Sequence, residues 1–281
     1  MAQVIQVIIN GVLLGGIYAL LGVGMTMMFG IVKLTNLAHG EFVIIGSYAS
    51  TLIAQAIGVD PILTLVVTVP LMFLIGMGLQ SGLINRVMMI GSEPALLVTF
   101  GLSIILADAM LLLFSADAQR ANVPYNTASL KLGAISISVL DLIVFGISLL
   151  TIIILSIFLK KTYLGRSIRA TSDDTQAASL MGVNVKRTYA IAMGIAMATA
   201  AIAGLCVSMK WVFYPSSGGS YLLTSFGVVV IGGMGSIPGT LVAGLILGLA
   251  QVIGGANYGQ LIAYILMVVF LAVRPQGLFS K

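Results

Sequence analysis

Apolar stretches of membrane-crossing length follow one another along almost the entire chain, and this feature limits the possible folds more than any other. A helix that crosses the hydrocarbon core of a bilayer needs about 20 residues. Only 7% of the residues are charged, against about a quarter in soluble domains, so most of the apolar surface is predicted to face lipid. The nine predicted spans are Val4–Phe29, Phe42–Ile57, Ile62–Ile84, Ala95–Phe114, Val139–Leu159, Tyr189–Met209, Leu222–Ile231, Leu241–Ile253 and Leu261–Val273.

The sequence therefore predicts an all-α polytopic membrane protein with eight or nine transmembrane helices and Gly-rich broken segments, organised as one domain over residues 1–281. The span Leu222–Ile231 is short and ends in glycine, so the count is eight if this segment is re-entrant. The longest predicted external loop, residues 115–138, ends in the alternating sequence Ile135–Ser138. That alternation favours a small hairpin on the outer face.

The positions of the basic residues predict the orientation. The polar stretch 160–187 holds six of the thirteen Lys and Arg residues. If this stretch is cytoplasmic and the spans alternate, ten of the thirteen lie inside and three, Arg120, Lys131 and Lys210, lie outside, as the positive-inside rule requires. We therefore predict an external N-terminus and a cytoplasmic C-terminus. The topology accounts for where the positive charges lie, so the net charge of +5 does not indicate a nucleic-acid partner.

The stretch 160–187 also carries the pattern of a short amphipathic helix. Ser172 is predicted to cap it, and Gly182 is predicted to end it. An acidic pair suits the positive end of the helix dipole, and three residues at i, i+3 and i+4 form a small apolar face. Such a helix on the wet side of a membrane protein is a docking surface for a soluble partner. The candidate coupling residues are Ser172, Asp173, Asp174, Ala177, Ala178, Leu180, Met181 and Gly182.

Two broken segments, one in each half of the chain, are the candidates for the transport pathway. Asn36–Glu41 gathers Asn, His and Glu between two spans, and it reads either as a broken-helix element that lines a pathway or as a plain cytoplasmic turn with His39 in water. Gly232–Gly239 is a glycine-rich counterpart, and paired broken segments indicate a site between repeats. The candidate pathway or hinge residues are Asn36, His39, Gly40, Glu41, Gly232, Gly233, Gly235 and Ser236.

The chain carries none of the patterns expected of an enzyme. It lacks a glycine-rich phosphate loop ending in Gly-Lys-Ser/Thr, and one His and one Cys cannot form a metal cluster. We therefore expect no enzyme activity, no metal and no cofactor in this chain. Asp108 is an isolated acid in an apolar stretch, as an ion-coupled carrier would need. We favour the interpretation that its carboxyl group bonds water or a partner near the outer side of the membrane.

Several segments together resemble the inner-membrane permeases of branched-chain amino acid ABC importers. The segments occur in order, cover nearly the whole chain and keep the spacings of that family. They are Asn10–Leu20, Asn36–Glu41, Ile45–Tyr48, Gly165–Ala170, Ala177–Val183, Gly232–Gly239 and Arg274–Phe279.

The resemblance implies a permease subunit in a bacterial inner membrane, where its solvent is membrane lipid. It implies a second permease, favoured to be a different paralogue, two cytoplasmic ATPases that bind ATP and Mg²⁺, and an extracytoplasmic substrate-binding protein. The family's coupling helix corresponds to residues 172–182.

The solute stays open at this point, because permeases for urea and short amides look very similar. Three functions of other classes also stay open: an ion-coupled secondary carrier, a passive channel and a structural scaffold. The sequence further leaves open whether the permease pair is homomeric or heteromeric.

Overall fold

A computed structural model of the chain describes residues 2–89, 91–133, 135–274 and 276–279. Three residues used above lie outside the described residues. They are Ala134, in the predicted external loop, Pro275, in the last family segment, and Lys281, in the charge count.

The described chain is built almost entirely of helices, with one small hairpin. Short π-helical or 3₁₀ turns, Met28–Val32, Pro61–Thr64 and Gln80–Ile84, extend or flank the helices. The helices are α1 Ala2–Met27, α2 His39–Ile57, α3 Leu65–Leu79, α4 Asn85–Met88, α5 Ser92–Phe114, α6 Val139–Lys161, α7 Tyr163–Asp173, α8 Thr175–Leu180, α9 Val185–Lys210, α10 Gly218–Gly232, α11 Ile237–Gly255 and α12 Asn257–Val273.

Within the described ranges, seven helical segments are long and apolar enough to cross a membrane, and α12 is a shorter apolar helix. Each of the nine predicted spans falls on a helix, and Leu222–Ile231 falls on the 15-residue α10. The prediction of an all-α, multi-pass membrane protein is therefore confirmed. It succeeds because a chain in lipid must satisfy its backbone hydrogen bonds internally, and helices do this within each segment.

The chain folds back between α11 and α12. Gly255 has φ +67° and ψ −169°, outside the helical region. A Cβ built on Gly259 would lie 2.3 Å from the carbonyl oxygen of Gln251, whereas residues eight apart in a straight helix are separated by about 12 Å. The two helices are therefore antiparallel neighbours rather than one long span.

The two ends of the helix bundle differ in chemistry. The hairpin end carries β1 Ser129–Leu132 and β2 Ile135–Ser138, which pair antiparallel with Ser129 opposite Ser138, as the alternating sequence predicts. The basic end is the opposite one, where α6 finishes at Lys161 and α7 and α8 lie.

Helix directions relate the two halves of the chain by inversion. At the start of α1 the Gln6 side chain bonds the backbone of β2, and near its end the carbonyl of Gly30 accepts a hydrogen bond from α7, so α1 runs towards the basic end. Helix α9 follows α8 and ends beside the loop of Arg120, so it runs the opposite way. The set α1, α2, α3, α5 in the first half thus corresponds to α9, α10, α11, α12 in the second.

Equivalent helix crossings join the two halves. Helix α1 packs on α11, where a Cβ on Gly248 would lie 2.5 Å from the Cα of Gly15. Helix α9 packs on α3, where a Cβ on Gly76 would lie 3.0 Å from the Cα of Gly194. Small residues allow this close backbone approach in membrane bundles. The core lies between these crossings, and α5 is the least buried of the long spans.

Candidate functional site

The segment before α2 crosses half of the bundle without forming a helix. The backbone leaves α1 at Lys33, in the left-handed region with φ +53°, and α2 begins at His39. The His39 imidazole Nε2 bonds the carbonyl oxygen of Leu21 at 3.1 Å, and Leu21 lies about 16 Å along the helix axis from Val32. Helix α2 therefore starts near the middle of the bundle.

Polar contacts hold this segment in the interior. The Asn36 Oδ1 accepts from the backbone N–H of Ala38 at 3.1 Å, and the Thr99 hydroxyl of α5 contacts the backbone of Thr35 and Leu37. Asn36 and His39 are both fully buried, at 0% exposure. The alternative of a water-exposed turn therefore does not describe this segment.

Helix α10 also begins in the interior, and its first residue meets the start of α2. A Cβ on Gly40 would lie only 2.0 Å from the carbonyl oxygen of Gly218. The two helices thus meet N-terminus to N-terminus, with α2 running to the hairpin end and α10 running to the basic end. Broken helices whose N-termini meet near the bilayer centre are a recurring architecture of transport sites.

The Glu41 carboxyl group occupies this junction. Its side chain is 6% exposed, Oε1 accepts from the Ser103 hydroxyl at 3.4 Å, and Oε2 has no hydrogen-bond partner among the described residues. A Cβ on Gly218 would lie 2.2–2.3 Å from the carboxyl atoms. A carboxylate at mid-membrane costs about 2.5–3.5 kcal/mol on insertion scales, and the partial positive charge of two helix N-termini offsets part of that cost.

The second broken segment forms a tight turn between α10 and α11 at the basic end. Gly233 and Gly235 have φ +96° and +85°, a region that favours glycine. The Ser236 Oγ accepts from the N–H of Gly239 at 3.1 Å and caps α11. A Cβ on Gly239 would lie 2.0 Å from the carbonyl oxygen of Gly232. We call residues 232–236 the glycine turn.

A chain of contacts connects the glycine turn to α7. A Cβ on Gly30, in the π-helical turn that extends α1, would lie 2.5 Å from the Cα of Gly235. The Ser172 hydroxyl of α7 donates a hydrogen bond to the carbonyl of Gly30. The candidate coupling residues of α7 and the candidate hinge residues of the glycine turn are far apart in sequence, and both contact the end of α1.

The structure divides the predicted coupling residues between two helices instead of placing them on one. Ser172 lies in the last turn of α7 and does not cap, because its hydroxyl is bonded to Gly30. Asp174 has extended φ/ψ angles and caps α8 instead, accepting from the N–H groups of Gln176 at 2.8 Å and Ala177 at 3.0 Å. The prediction of one helix from Ser172 to Gly182 is therefore wrong, and Asp173 belongs to α7.

Gly182 ends α8 as predicted. It has φ +83°, its N–H donates to the carbonyl of Ser179, and the N–H of Val183 donates to that of Ala178, at 3.0 Å each. This pair of bonds is a Schellman motif.

One exposed side of α8 and its C-cap residue is apolar. Leu180 and Met181 are 88% and 84% exposed, and Ala177 is exposed beside them. Ala178 is only 4% exposed and points inward. We call Ala177, Leu180 and Met181 the α8 face. A patch of large apolar side chains in water indicates a protein interaction surface.

A polar cavity of about 200 Å³ lies between α1, α10, α11 and α12, and sequence reasoning missed it. Tyr18 donates to Gln251 Oε1, and Gln260 Nε2 donates to the Tyr264 hydroxyl at 3.0 Å. Tyr221 lines the cavity beside them. Polar side chains at membrane depth line cavities or pathways, so the single amide of Gln251 within an apolar stretch was the signal that could have located it.

Asp108 is exposed on α5, within the face that this helix turns away from the rest of the chain. The structure brings it to none of the other candidate residues, and it stays outside the junction at Glu41.

Comparisons with known proteins agree with one another. The family described as "Branched-chain amino acid transport system / permease component" matches residues 7–271. The high-affinity branched-chain amino acid transport system permease protein BraD of Pseudomonas aeruginosa is 30% identical over 99% of this chain and 96% of its own. LivH of Escherichia coli, which carries the same description, is 31% identical with the same coverage.

A solved structure, "PsaBC from Streptococcus pneumoniae in complex with Fab", is similar over 98% of this chain and 93% of that chain. Its sequence identity is 14% and its TM-score is 0.49.

Proposed function

This chain belongs to the family of permease components of branched-chain amino acid transport systems, and from that premise we propose that it moves branched-chain amino acids into the cell as part of an ATP-driven importer. It is a membrane permease and not an enzyme. ATP hydrolysis belongs to partner subunits, and we propose that these subunits bind the ATP and Mg²⁺. The relatives favour none of the alternatives, namely a urea or amide permease, an ion-coupled carrier, a channel or a scaffold.

The proposed assembly has this chain in a bacterial inner membrane with a second permease subunit, two cytoplasmic ATPases and an extracytoplasmic substrate-binding protein. The basic end faces the cytoplasm, because most of the Lys and Arg residues are there. The N-terminus, which lies at the hairpin end, is then outside, and Arg274 at the other end is inside.

The α8 face is the observation that carries this proposal. It is a small apolar surface in water at the basic end, where a cytoplasmic ATPase can reach it. Its two large side chains, Leu180 and Met181, are almost fully exposed in the isolated chain. Buried apolar anchors dominate the energetics of protein interfaces, so an ATPase groove that takes these side chains would hold α8 firmly.

The contacts behind α8 suggest how motion of the ATPases reaches the pathway. A displacement of α8 moves α7, and the Ser172–Gly30 hydrogen bond passes it to the end of α1 and the glycine turn. The glycine turn links α10 to α11, so α10 moves relative to α2 at the Glu41 junction. We propose that this relative movement opens the pathway alternately to the two sides.

Charge placed on the α8 face tests the docking role. We expect Leu180→Glu to lower ATP-dependent leucine uptake in proteoliposomes containing the assembled importer by roughly tenfold or more, the usual cost of losing an interface anchor. ATPase stimulation by the binding protein should fall with it. The matched control is Met89→Glu, because Met89 is 75% exposed at the basic end and lies outside α8.

Retained coupling in Leu180→Glu and Met181→Glu would refute the docking role. Ala178 is unsuitable for this test, because a charge at a side chain that is 4% exposed would disturb packing instead.

A further inference from the structure

A second and larger cavity opens at the basic end. It has a volume of about 700 Å³ and lies between the end of α1, the end of α6, α7 and the start of α11. Ile31, Leu159, Ile168, Ile237 and Phe279 give it an apolar wall. We call this cavity the basic-end cleft.

The basic-end cleft combines that wall with positive charge. Lys160 and Arg169 both line it, and Arg169 Nη2 donates to the carbonyl oxygen of Lys160 at 3.4 Å, which holds the guanidinium beside the end of α6. Asp173 is the acid among the lining residues, so the two cations exceed it by one. The N-terminus of α11, at Ile237, contributes further partial positive charge.

The basic-end cleft lies at the depth in the membrane where lipid headgroups are expected. Helix α6 is the most apolar of the spans, with a mean hydropathy of 3.0, and it finishes at Lys160 and Lys161. A Lys at the end of such a helix lies where the hydrocarbon meets the headgroup layer. Basic pockets between transmembrane helices on the cytoplasmic side are suited to anionic lipid headgroups.

We propose that the basic-end cleft binds the phosphate headgroup of an anionic phospholipid. Lys160 and Arg169 contact the phosphate, and the apolar wall takes the first part of an acyl chain. The bound lipid bridges α6 and α7 to the start of α11, beside the Ser172–Gly30 contact through which α8 acts on the glycine turn. This inference goes beyond the proposed function and does not depend on the transported solute.

Lipid binding to the full-length chain in detergent tests the inference directly. Native mass spectrometry would measure the occupancy of phosphatidylglycerol, with zwitterionic phosphatidylethanolamine as the comparison. We expect phosphatidylglycerol to bind more tightly, and the double variant Lys160→Gln/Arg169→Gln to weaken that binding by roughly tenfold or more. The matched control is Lys186→Gln/Arg187→Gln, which removes the same charge from the first turn of α9, within the same polar stretch 160–187 but outside the cleft.

The inference would be overturned by equal occupancy of the two lipids, or by equal losses in the two double variants. Binding of soluble glycerol 3-phosphate as tight as that of phosphatidylglycerol would assign the cleft to free phosphate instead of lipid. If the Lys160/Arg169 variant keeps its lipid but loses the ATPases, the cleft is part of the ATPase interface. If the wild-type importer binds the lipid as expected but fails to transport leucine, that result would contradict the proposed function and leave the lipid site standing.

Discussion

The position of the Glu41 side chain accounts for the glycine at the start of α10. The carboxyl group of Glu41 occupies the space where a side chain at position 218 would lie. We predict that Gly218→Ala lowers the thermal stability of the protein in detergent, because overpacking costs about 1–3 kcal/mol. Leucine uptake should fall with it, since the carboxylate is displaced from the N-terminus of α10. Differential scanning fluorimetry and uptake would measure both effects.

The next residue supplies the control for this prediction. No described residue lies within 4 Å of a Cβ on Gly219, so Gly219→Ala should leave both measurements close to those of the wild type. Glu41→Ala added to Gly218→Ala should restore part of the lost stability, because the space is then free. Equal damage from the two glycine substitutions would mean that helix flexibility, and not the carboxyl group, is what position 218 requires.

Among the contacts between helices, the one between α7 and the end of α1 carries the proposed coupling of ATP hydrolysis to transport. Ser172→Ala removes the hydrogen bond to Gly30, and a bond of this kind contributes about 0.5–1.5 kcal/mol. We predict that the number of leucine molecules imported per ATP hydrolysed falls about twofold to tenfold, while ATP hydrolysis continues. Ser167→Ala is the matched control, because among the described residues the Ser167 hydroxyl bonds only the Tyr163 carbonyl, within α7 itself. A coupling ratio that is the same in both variants would exclude this route.

The external loop is tied to the turn before α3 by Tyr125, whose hydroxyl donates to Asp60 Oδ1 at 3.2 Å. Burial, together with the adjacent Asp60 carboxylate, raises the pKa of Tyr125 to about 12, from about 10 in free peptides. The neutral phenol is the favoured form, so this tie is fully present below pH 10 and is lost as the pH rises through 12.

The tyrosinate absorbance of the wild type minus that of Tyr125→Phe isolates this titration. We predict a transition near pH 12 in the difference spectrum, and a lower midpoint when both proteins also carry Asp60→Asn. A transition near pH 10 in the wild-type difference would show that the contact with Asp60 does not form.

For the whole molecule, the membrane spans could be predicted from the sequence because each depends on its own residues. The candidate site could not, because it depends on contacts between segments that are distant in sequence. Lipid selects apolar helices segment by segment, and the Gly182 stop depends only on its own φ angle. The inward direction of Ala178 and the use of Ser172 depend on α1 and α9. The junction at Glu41 depends on Gly218, which lies far along the chain. The sequence pattern shows where a helix is interrupted, but it does not show which distant residues an interruption contacts. It therefore located the broken segments without showing that α2 and α10 meet.

The inverted arrangement of the two halves makes its own prediction about stability. Gly248 belongs to the α1–α11 crossing and Gly76 to the α3–α9 crossing, and a Cβ on either would lie within 3.0 Å of the opposing backbone. Because each crossing joins one half of the chain to the other, we expect Gly248→Ala and Gly76→Ala to lower the unfolding temperature by similar amounts. Their effects should add in the double variant, since the sites share no contact. Gly146→Ala on α6, where no described residue lies within 4 Å of the new Cβ, should not lower the unfolding temperature. If one crossing tolerates alanine while the other does not, the two halves are not held together in equivalent ways.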